Sequence, residues 1–352
     1  MNIFDMLQMV VDRKASDIHL LTGVPPTLRI DGALVPIEGA PALNKEQAEG
    51  LVIPLMTNEQ KDYVIVNKEI DFGYQFKDQG RFRVNVYHQK NGMAAALRLV
   101  PQKIKSLDEL QLPQIMHNFT QYRQGMILLT GPTGEGKSTT LAAIIQEINA
   151  SRAEHILTIE DPIEFIYAPA KSIISQRELN HDTHGWDIAL RSALREDPDV
   201  VLVGEMRDYE TIAAAVTVAE TGHLVFGTLH TATASQTIDR IIDVFPAHQQ
   251  AQIRQQLASV LEAVVSQRLI PMIGGGRVAA AEIMLANSAI RNLIREQKAF
   301  QIDNVIQTSA EQGMMLIESS LVSLVQRGAI SDELARSYAF RPDTYDKLSG
   351  KG

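Results

Sequence analysis

The chain contains no cysteine. That excludes disulfides, thiolate metal ligands and cysteine nucleophiles. Aromatic residues make up only 5%, tryptophan occurs once, and no stripe interleaves aromatic with basic side chains. A net charge of −9 also speaks against nucleic acid, whose partners ordinarily carry a basic footprint. No run approaches the ~18 apolar residues of a membrane span, so direct membrane insertion is not expected. The start, Met1-Asn2-Ile3-Phe4-Asp5, is acidic and lacks the basic n-region of a signal peptide. There is no internal repeat or low-complexity tract. These absences leave a cytoplasmic globular protein. Its 45% hydrophobic and 21% charged content fits that class, and 352 residues suggest about two to three domains.

What is present is concentrated first at residues 126–139. The apolar run Met126-Ile127-Leu128-Leu129-Thr130 breaks into Gly131-Pro132-Thr133-Gly134-Glu135-Gly136-Lys137-Ser138-Thr139, and a helix is expected from Thr139 through Ile148. The spacing GxxxxGK[ST] between a strand and a helix is the phosphate-binding P-loop. Its glycines permit backbone angles that let N–H groups curl around phosphate oxygens. Lys137 can reach the β- and γ-phosphates, the Ser138 hydroxyl can hold Mg²⁺, and the helix N-terminus adds partial positive charge. ATP with Mg²⁺ is the ligand this loop implies.

Around the loop the chain divides by pattern. Residues 2–13 have helical apolar spacing, followed by short strands at 17–21, 27–30 and 33–37, the last two joined by an Asp31-Gly32 hairpin signal. Helices are predicted over 44–55 and 57–66, then a meander at 70–76, 81–88 and 93–99 with turns at Gln79-Gly80 and Asn91-Gly92. This is an α+β domain over 1–100. Residues 101–115, with Pro101 and Pro113, suit a linker. Over 116–352 the apolar runs 126–130, 155–159, 200–203 and 224–229 alternate with helical segments, the signature of a parallel α/β sheet covered on both faces. From about 250 the chain reads as helices, interrupted by Ile273-Gly274-Gly275-Gly276 and a strand at 278–284. The polar tail after Pro342 is expected to fray.

Phosphoryl transfer needs a carboxylate on the magnesium side, a group that orients water and a cation for the transition state. Val200-Val201-Leu202-Val203-Gly204-Glu205 is a buried strand ending in an acid, the Walker B arrangement; a surface glutamate paired with Arg207 is the plainer alternative. Glu160-Asp161-Pro162-Ile163-Glu164 follows another strand, and one of its carboxylates can serve as general base, with spacing alone not choosing between Glu160 and Glu164. His230 ends the strand 224–229, where it can sense a γ-phosphate, although a lone histidine is more often structural. Arg81, Arg83 and Arg98 sit on strands of the N-terminal domain; by pattern alone they are solvated strand-face residues.

Taken in order, GPTGEGKSTT (131–140), LTIEDPIEF (157–165), REDPDVVLVGEMRD (195–208) and TGHLVFGTLHT (221–231) resemble the Walker A, Asp box, Walker B and His box of the type II/IV secretion ATPase superfamily. The N-terminal SDIHL and GRFRVNVY segments resemble it too, and AIRNLIRE (289–296) is similar to an element of its pilus-retraction branch. The resemblance implies a PAS-like N-terminal domain, a RecA-like C-terminal ATPase domain and a homohexamer with nucleotide at subunit interfaces. It implies a motor that hydrolyses ATP to retract type IV pili in twitching motility, peripheral at the inner-membrane base of the pilus machine on a platform protein. It assigns the general base to Glu164, places Glu205 near Mg²⁺ directly or through water, makes His230 a γ-phosphate contact, and raises Arg83 and Arg98 to nucleotide-directed arginines. Extension and secretion relatives carry a further N-terminal domain and a four-cysteine zinc site, so the absence of cysteine favours retraction.

Departures from the family pattern exist. Glu135 replaces a small serine in the P-loop, and an extra carboxylate near phosphate is expected to weaken nucleotide binding unless it points to solvent. Gln297 stands where glycine is common, Ser288 where proline is common, and residues 313–318 follow the family only loosely. Two other readings remain: an accessory paralogue or nucleotide-gated assembly regulator with little hydrolysis, and a nucleic-acid translocase, which the acidic charge disfavours.

Overall fold

The computed structural model describes residues 1–350 apart from Asp31, Asp78, Asn91, Pro101 and Gln102. The turn signals at Asp31 and Asn91 and the linker residue Pro101 therefore lie outside the described residues. By packing, the chain separates into two units: Met1–Lys103 together with Asp161–Ile166, and Ile104–Glu160 together with Tyr167–Gly352.

The first unit begins with α1 (Ile3–Asp12), β1 (Asp17–Leu20), β2 (Thr27–Ile30) and β3 (Ala33–Pro36). It continues with α2 (Lys45–Val52), α3 (Asn58–Asn67), β4 (Glu69–Phe76), β5 (Gly80–Gln89) and β6 (Gly92–Val100). Asn2 and Asp5 close a reciprocal capping box at the start of α1. Ile3, Met6, Leu7 and Val10 recur at the spacing of one helical face and are buried. The strands form one six-stranded sheet in the order β3-β2-β1-β6-β5-β4. Along β5, burial alternates with period two: Phe82, Val84 and Val86 enter the core, and Arg81, Arg83 and Asn85 face the other way.

The second unit holds β7 (Gly125–Thr130), α4 (Lys137–Ser151), β8 (His155–Glu160), β9 (Ile173–Glu178), α5 (Trp186–Ala193), β10 (Val200–Val203), α6 (Tyr209–Glu220), β11 (Leu224–Leu229), α7 (Ala234–Asp243) and α8 (Gln250–Val260). Then come β12 (Leu261–Pro271), β13 (Arg277–Leu285), α9 (Ser288–Arg295), α10 (Ile302–Thr308), α11 (Ile317–Gln326), α12 (Asp332–Tyr338) and α13 (Pro342–Leu348). Its seven-stranded sheet runs β13-β12-β7-β11-β10-β8-β9, parallel except for β13. Helices cover both faces, so β7 and β11 are buried at every position.

Three expectations are corrected here. Residues 261–271 are not helical: they form β12, which lies parallel to β7 and antiparallel to β13. A strand buried on both faces has no alternation to betray it, and β12 follows α8 without a turn residue. The strand β9 was likewise not anticipated, because Ile173–Glu178 is an edge strand of mixed polarity. The tail after Pro342 does not fray. It forms α13, with Tyr345 fully buried and its hydroxyl donating to Asp332 at 3.0 Å.

A buried charge cluster fastens that C-terminal segment. Arg341 donates to Asp303, Glu282 and Glu318, and both glutamate side chains are completely buried. Burial pushes the Glu282 carboxyl up, opposed by the Ala234 N–H and by Arg341. Glu282 also accepts the Ala234 N–H at the first turn of α7, at 2.9 Å. Removing the cation strands two buried carboxylates. Arg341→Met is therefore expected to lower stability by about 3–5 kcal/mol, read as a fall in urea midpoint. The exposed pair Arg336–Asp346 is the comparison, and Arg336→Met is expected to change the midpoint little.

The α9 element explains two of the departures. Ser288 occupies the first helical position after the Asn287 N-cap, a position where proline is favourable because its missing N–H is not needed. Gln297, just past the helix, has φ +60°, the left-handed region that glycine adopts without a Cβ penalty. Gln297→Gly is accordingly expected to match or exceed wild-type stability, by up to about 1 kcal/mol, whereas Gln297→Val lowers it. Thermal unfolding of the three proteins decides the order.

Candidate functional site

The P-loop and the candidate acids and histidine of the second unit lie at one edge of the parallel sheet. Thr130 of β7 is in register with Leu229 of β11, Gly227 of β11 with Val203 of β10, and Val203 with Ile159 of β8. The chain therefore leaves these strands on the same side, where ligands of open α/β sheets bind. The P-loop leaves β7, Glu205 follows β10, His230 follows β11, and Glu160 ends β8.

The loop Gly131–Ser138 turns through positive φ at Gly131 and Gly136. A Cβ at Gly131 would lie 2.4 Å from the Gln267 carbonyl oxygen, so no other residue fits against β12 there. Gly136 is the N-cap of α4 and supplies no side-chain cap, so the first-turn N–H groups are not taken by one. Lys137 is buried, its ammonium donating to the carbonyls of Gly131 at 2.6 Å and Pro132 at 3.0 Å. Thr133, Gly134 and Ser138 are exposed, and Thr139 is half-buried beside them. Leu141, Ile144, Ile145 and Ile148 anchor the opposite face of α4 in the core.

Glu135 does not behave as the sequence suggested. Its carboxylate points neither at the phosphate cradle nor freely into solvent. It accepts the backbone N–H of Leu269 and lies 3.6 Å from the Arg268 guanidinium. Gln267 reinforces this contact, donating to the Glu135 carbonyl at 2.7 Å and accepting the Thr140 hydroxyl at 2.8 Å. Gln267, Arg268 and Leu269 are site residues that sequence reasoning missed. Once β12 is read as helix, nothing in the chain points them at the loop.

Glu205 and His230 come together. The His230 ring and the Glu205 carboxylate are 2.6 Å apart (Nε2 to Oε1), and the same oxygen accepts from Arg207. The backbone of Gly204 is fixed on both sides: its N–H donates to Ile159 at 2.8 Å, and its carbonyl accepts the Thr228 hydroxyl at 2.6 Å. A cleft of about 200 Å³ opens beside them, lined by Met206, Arg207, Leu229, His230, Thr231 and Arg240. Glu160 is buried and accepts the Thr158 hydroxyl at 2.7 Å. Oxygen donors dominate this edge: the Ser138 hydroxyl and the Glu205 and Glu160 carboxylates. Such a set suits a hard cation such as Mg²⁺ accompanying a phosphate.

The remaining candidates belong to the first unit. Arg83 and Arg98 are directly opposed across β5 and β6, Arg98 faces Asp17 across β1, and Asp17 faces Arg29 across β2. Like charges opposite one another repel, and two carboxylates offset this. Asp71 holds Arg83 at 2.6 Å, and Asp17 holds Arg98 at 2.8 Å. The hydrogen bonds that Arg83 donates to Asp71 push the Arg83 pKa up further. Burial pushes the Asp17 carboxyl up, but hydrogen bonds from Ser16 and Arg98 outweigh it and leave it below the usual carboxylate range. The segment Asp161–Ile166, which contains Glu164, packs with this unit rather than with the P-loop unit. Arg81 lies over Gly73 and donates to the Ile163 carbonyl at 3.3 Å, and the Glu164 and Asp161 charges act on Arg83. Glu160 and Glu164, inseparable by spacing, thus belong to different units.

Comparison with known proteins agrees with this architecture. The family model for type II/IV secretion system proteins matches residues 2–275. The type IV pilus retraction ATPase PilT of Pseudomonas aeruginosa is 47% identical over 345 residues, spanning 98% of this chain and all of that protein. A twitching motility protein of Neisseria gonorrhoeae is 50% identical over 315 residues, 89% of this chain and 84% of that one. The crystal structure of the pilus retraction motor PilT with bound ADP superposes with a TM-score of 0.92 at 44% identity, covering 99% of both chains. A match over most of the sequence, with relatives of this identity along nearly its full length, has one meaning: the chain belongs to the type II/IV secretion system protein family.

Proposed function

We propose that this protein is a Mg²⁺-dependent ATPase, one subunit of a homohexameric motor that drives type IV pilus retraction and so twitching motility. The observation that carries it is the joining of Glu205 to His230 on the sheet edge that also bears the P-loop, in a chain so similar to a pilus retraction ATPase. Among the described residues no helix is long and apolar enough to cross a membrane. The proposed location is cytoplasmic, at the inner-membrane base of the pilus machine, docked on a membrane platform protein. Residues 1–100 and 116–352 are its PAS-like and RecA-like domains.

In this reading the backbone N–H groups of residues 131–139 and the N-terminus of α4 cradle the phosphates. Lys137 exchanges its two loop carbonyls for phosphate oxygens. The Ser138 hydroxyl and Glu205 carboxylate would hold the cation, which would supply positive charge against the phosphate oxygens. His230 reads the γ-phosphate through its tie to Glu205. Glu164 draws the proton from the attacking water. Arg83 and Arg98 provide the cationic groups for the transition state, in the ring of the same or an adjoining subunit. The reading as a regulator with little turnover rested on Glu135, and with that carboxylate on β12 it has no remaining support.

Purified protein with Mg-ATP is expected to release phosphate, with Lys137→Ala and Glu205→Gln each reducing kcat on the order of 100-fold or more. Wild-type turnover no higher than that of the two variants would reject the ATPase. A second expectation concerns the cell. Deleting the gene leaves abundant surface pili and no twitching, whereas a strain that loses its pili instead would point to assembly rather than retraction.

A further inference from the structure

The sheet edge beneath the P-loop is unequal in length. The β7–β12 ladder ends where Thr130 meets Ser266, yet β12 runs on to Pro271. Over that extension the P-loop lies where a strand would continue. Gly131 presses against the Gln267 carbonyl, the Gln267 side chain ties Glu135 to Thr140, and the Glu135 carboxylate accepts the Leu269 N–H. A side chain thus closes a backbone donor that the shortened strand leaves over. The other Glu135 oxygen faces Arg268, whose guanidinium sits over the rings of Phe340 at 5.6 Å and Tyr338 at 5.9 Å. The Arg268 Nε is buried and has no hydrogen-bond partner, so its position is set by the rings and by the charge of Glu135.

We propose that Glu135 is a positioning residue that latches the P-loop to β12. Arg268, clamped by Phe340 and Tyr338, holds the carboxylate in that latch and away from bound phosphate. The device sets nucleotide affinity rather than the rate of the chemical step, because the latch orders the loop before phosphate arrives and touches no reacting atom. It also links the phosphate site to the C-terminal helices through one arginine. The inference rests on the reading of this loop as an ATP site.

The test measures the affinity of a fluorescent ADP analogue alongside KM and kcat for ATP. Glu135→Ala is expected to weaken ADP binding about tenfold, with the change in KM rather than kcat. Glu135→Gln restores most of the affinity, since an amide oxygen still accepts the Leu269 N–H. Arg268→Met weakens binding in the wild-type background by freeing a carboxylate near phosphate, and does so less at high salt. In the Glu135→Gln background the same change has little effect. Should Glu135→Ala fail to fold, the Arg268→Met and Glu135→Gln cycle carries the decision. Glu135→Ala binding ADP as tightly as wild type overturns the latch, as does an Arg268→Met effect equal in both backgrounds. Wild-type protein that binds no analogue overturns the ATP site itself, a separate failure.

Discussion

The structure depends on the position of β7 between β12 and β11. All three strands run the same way and are closed on both faces by helices, so β7 is paired along both edges and buried at every residue. A one-residue slip would exchange the side chains of its two buried faces and misfit both against the packed helices. The P-loop begins at its last residue, and α4 begins where the loop ends. The inner hydroxyl pair Thr130–Ser266, 2.8 Å apart, marks the point where ladder gives way to loop. Neighbouring strands carry Glu205 and His230 to the same level by the same registers. Precision at the phosphate site is thus a consequence of strand pairing, and the loop residues inherit it.

Packing further from the edge serves the same end. The start of α7, immediately after the His230 loop, is held by Glu282, and Glu282 by Arg341. A helix N-terminus receiving a carboxylate is favourable on its own; here the carboxylate is itself fixed by a cation from the far end of the chain. The Arg291 guanidinium does comparable work for α8, capping the Ala258 and Ser259 carbonyls and binding Glu262. Residues remote in sequence thereby limit how far the loops at the strand ends can move.

Much of this was legible in the sequence, for identifiable reasons. The first unit reads well because its sheet has one buried and one open face, which writes a period of two into β5. The four motifs read well because glycine, acid and histidine at strand ends are rare combinations. β12 was not legible, since a strand buried on both faces looks like a stretch of core helix. That single loss removed Gln267, Arg268 and Leu269 from view and left Glu135 with no visible partner, so only the phosphate's surroundings or solvent could be offered for its carboxylate. The tail was misjudged on polarity: its charged residues surround one fully buried tyrosine, and composition averages such an anchor away. Gln297 and Ser288 were noticed as departures, but only backbone angles give their meaning.

Charge pairing separates arginines that can act from those that cannot. Arg341 faces two carboxylates with no exposure at all, and drawing it toward any other anion would leave those charges buried and uncompensated. Arg83 and Arg98 are also paired, but Arg98 is 70% exposed and Arg83 40% exposed in their side chains. Asp71 is partly exposed, so water can take over its solvation if Arg83 turns to a phosphate. Asp17 is buried, but Ser16 and the Arg29 guanidinium 4.0 Å away stay with it if Arg98 leaves. Lys137 donates to two loop carbonyls, neutral partners that a phosphate can replace. Arg83, Arg98, Glu205, His230 and Lys137 thus each have a partner in place before any phosphate arrives. A site built this way stays stable without its ligand and still offers its charges when a phosphate competes for them.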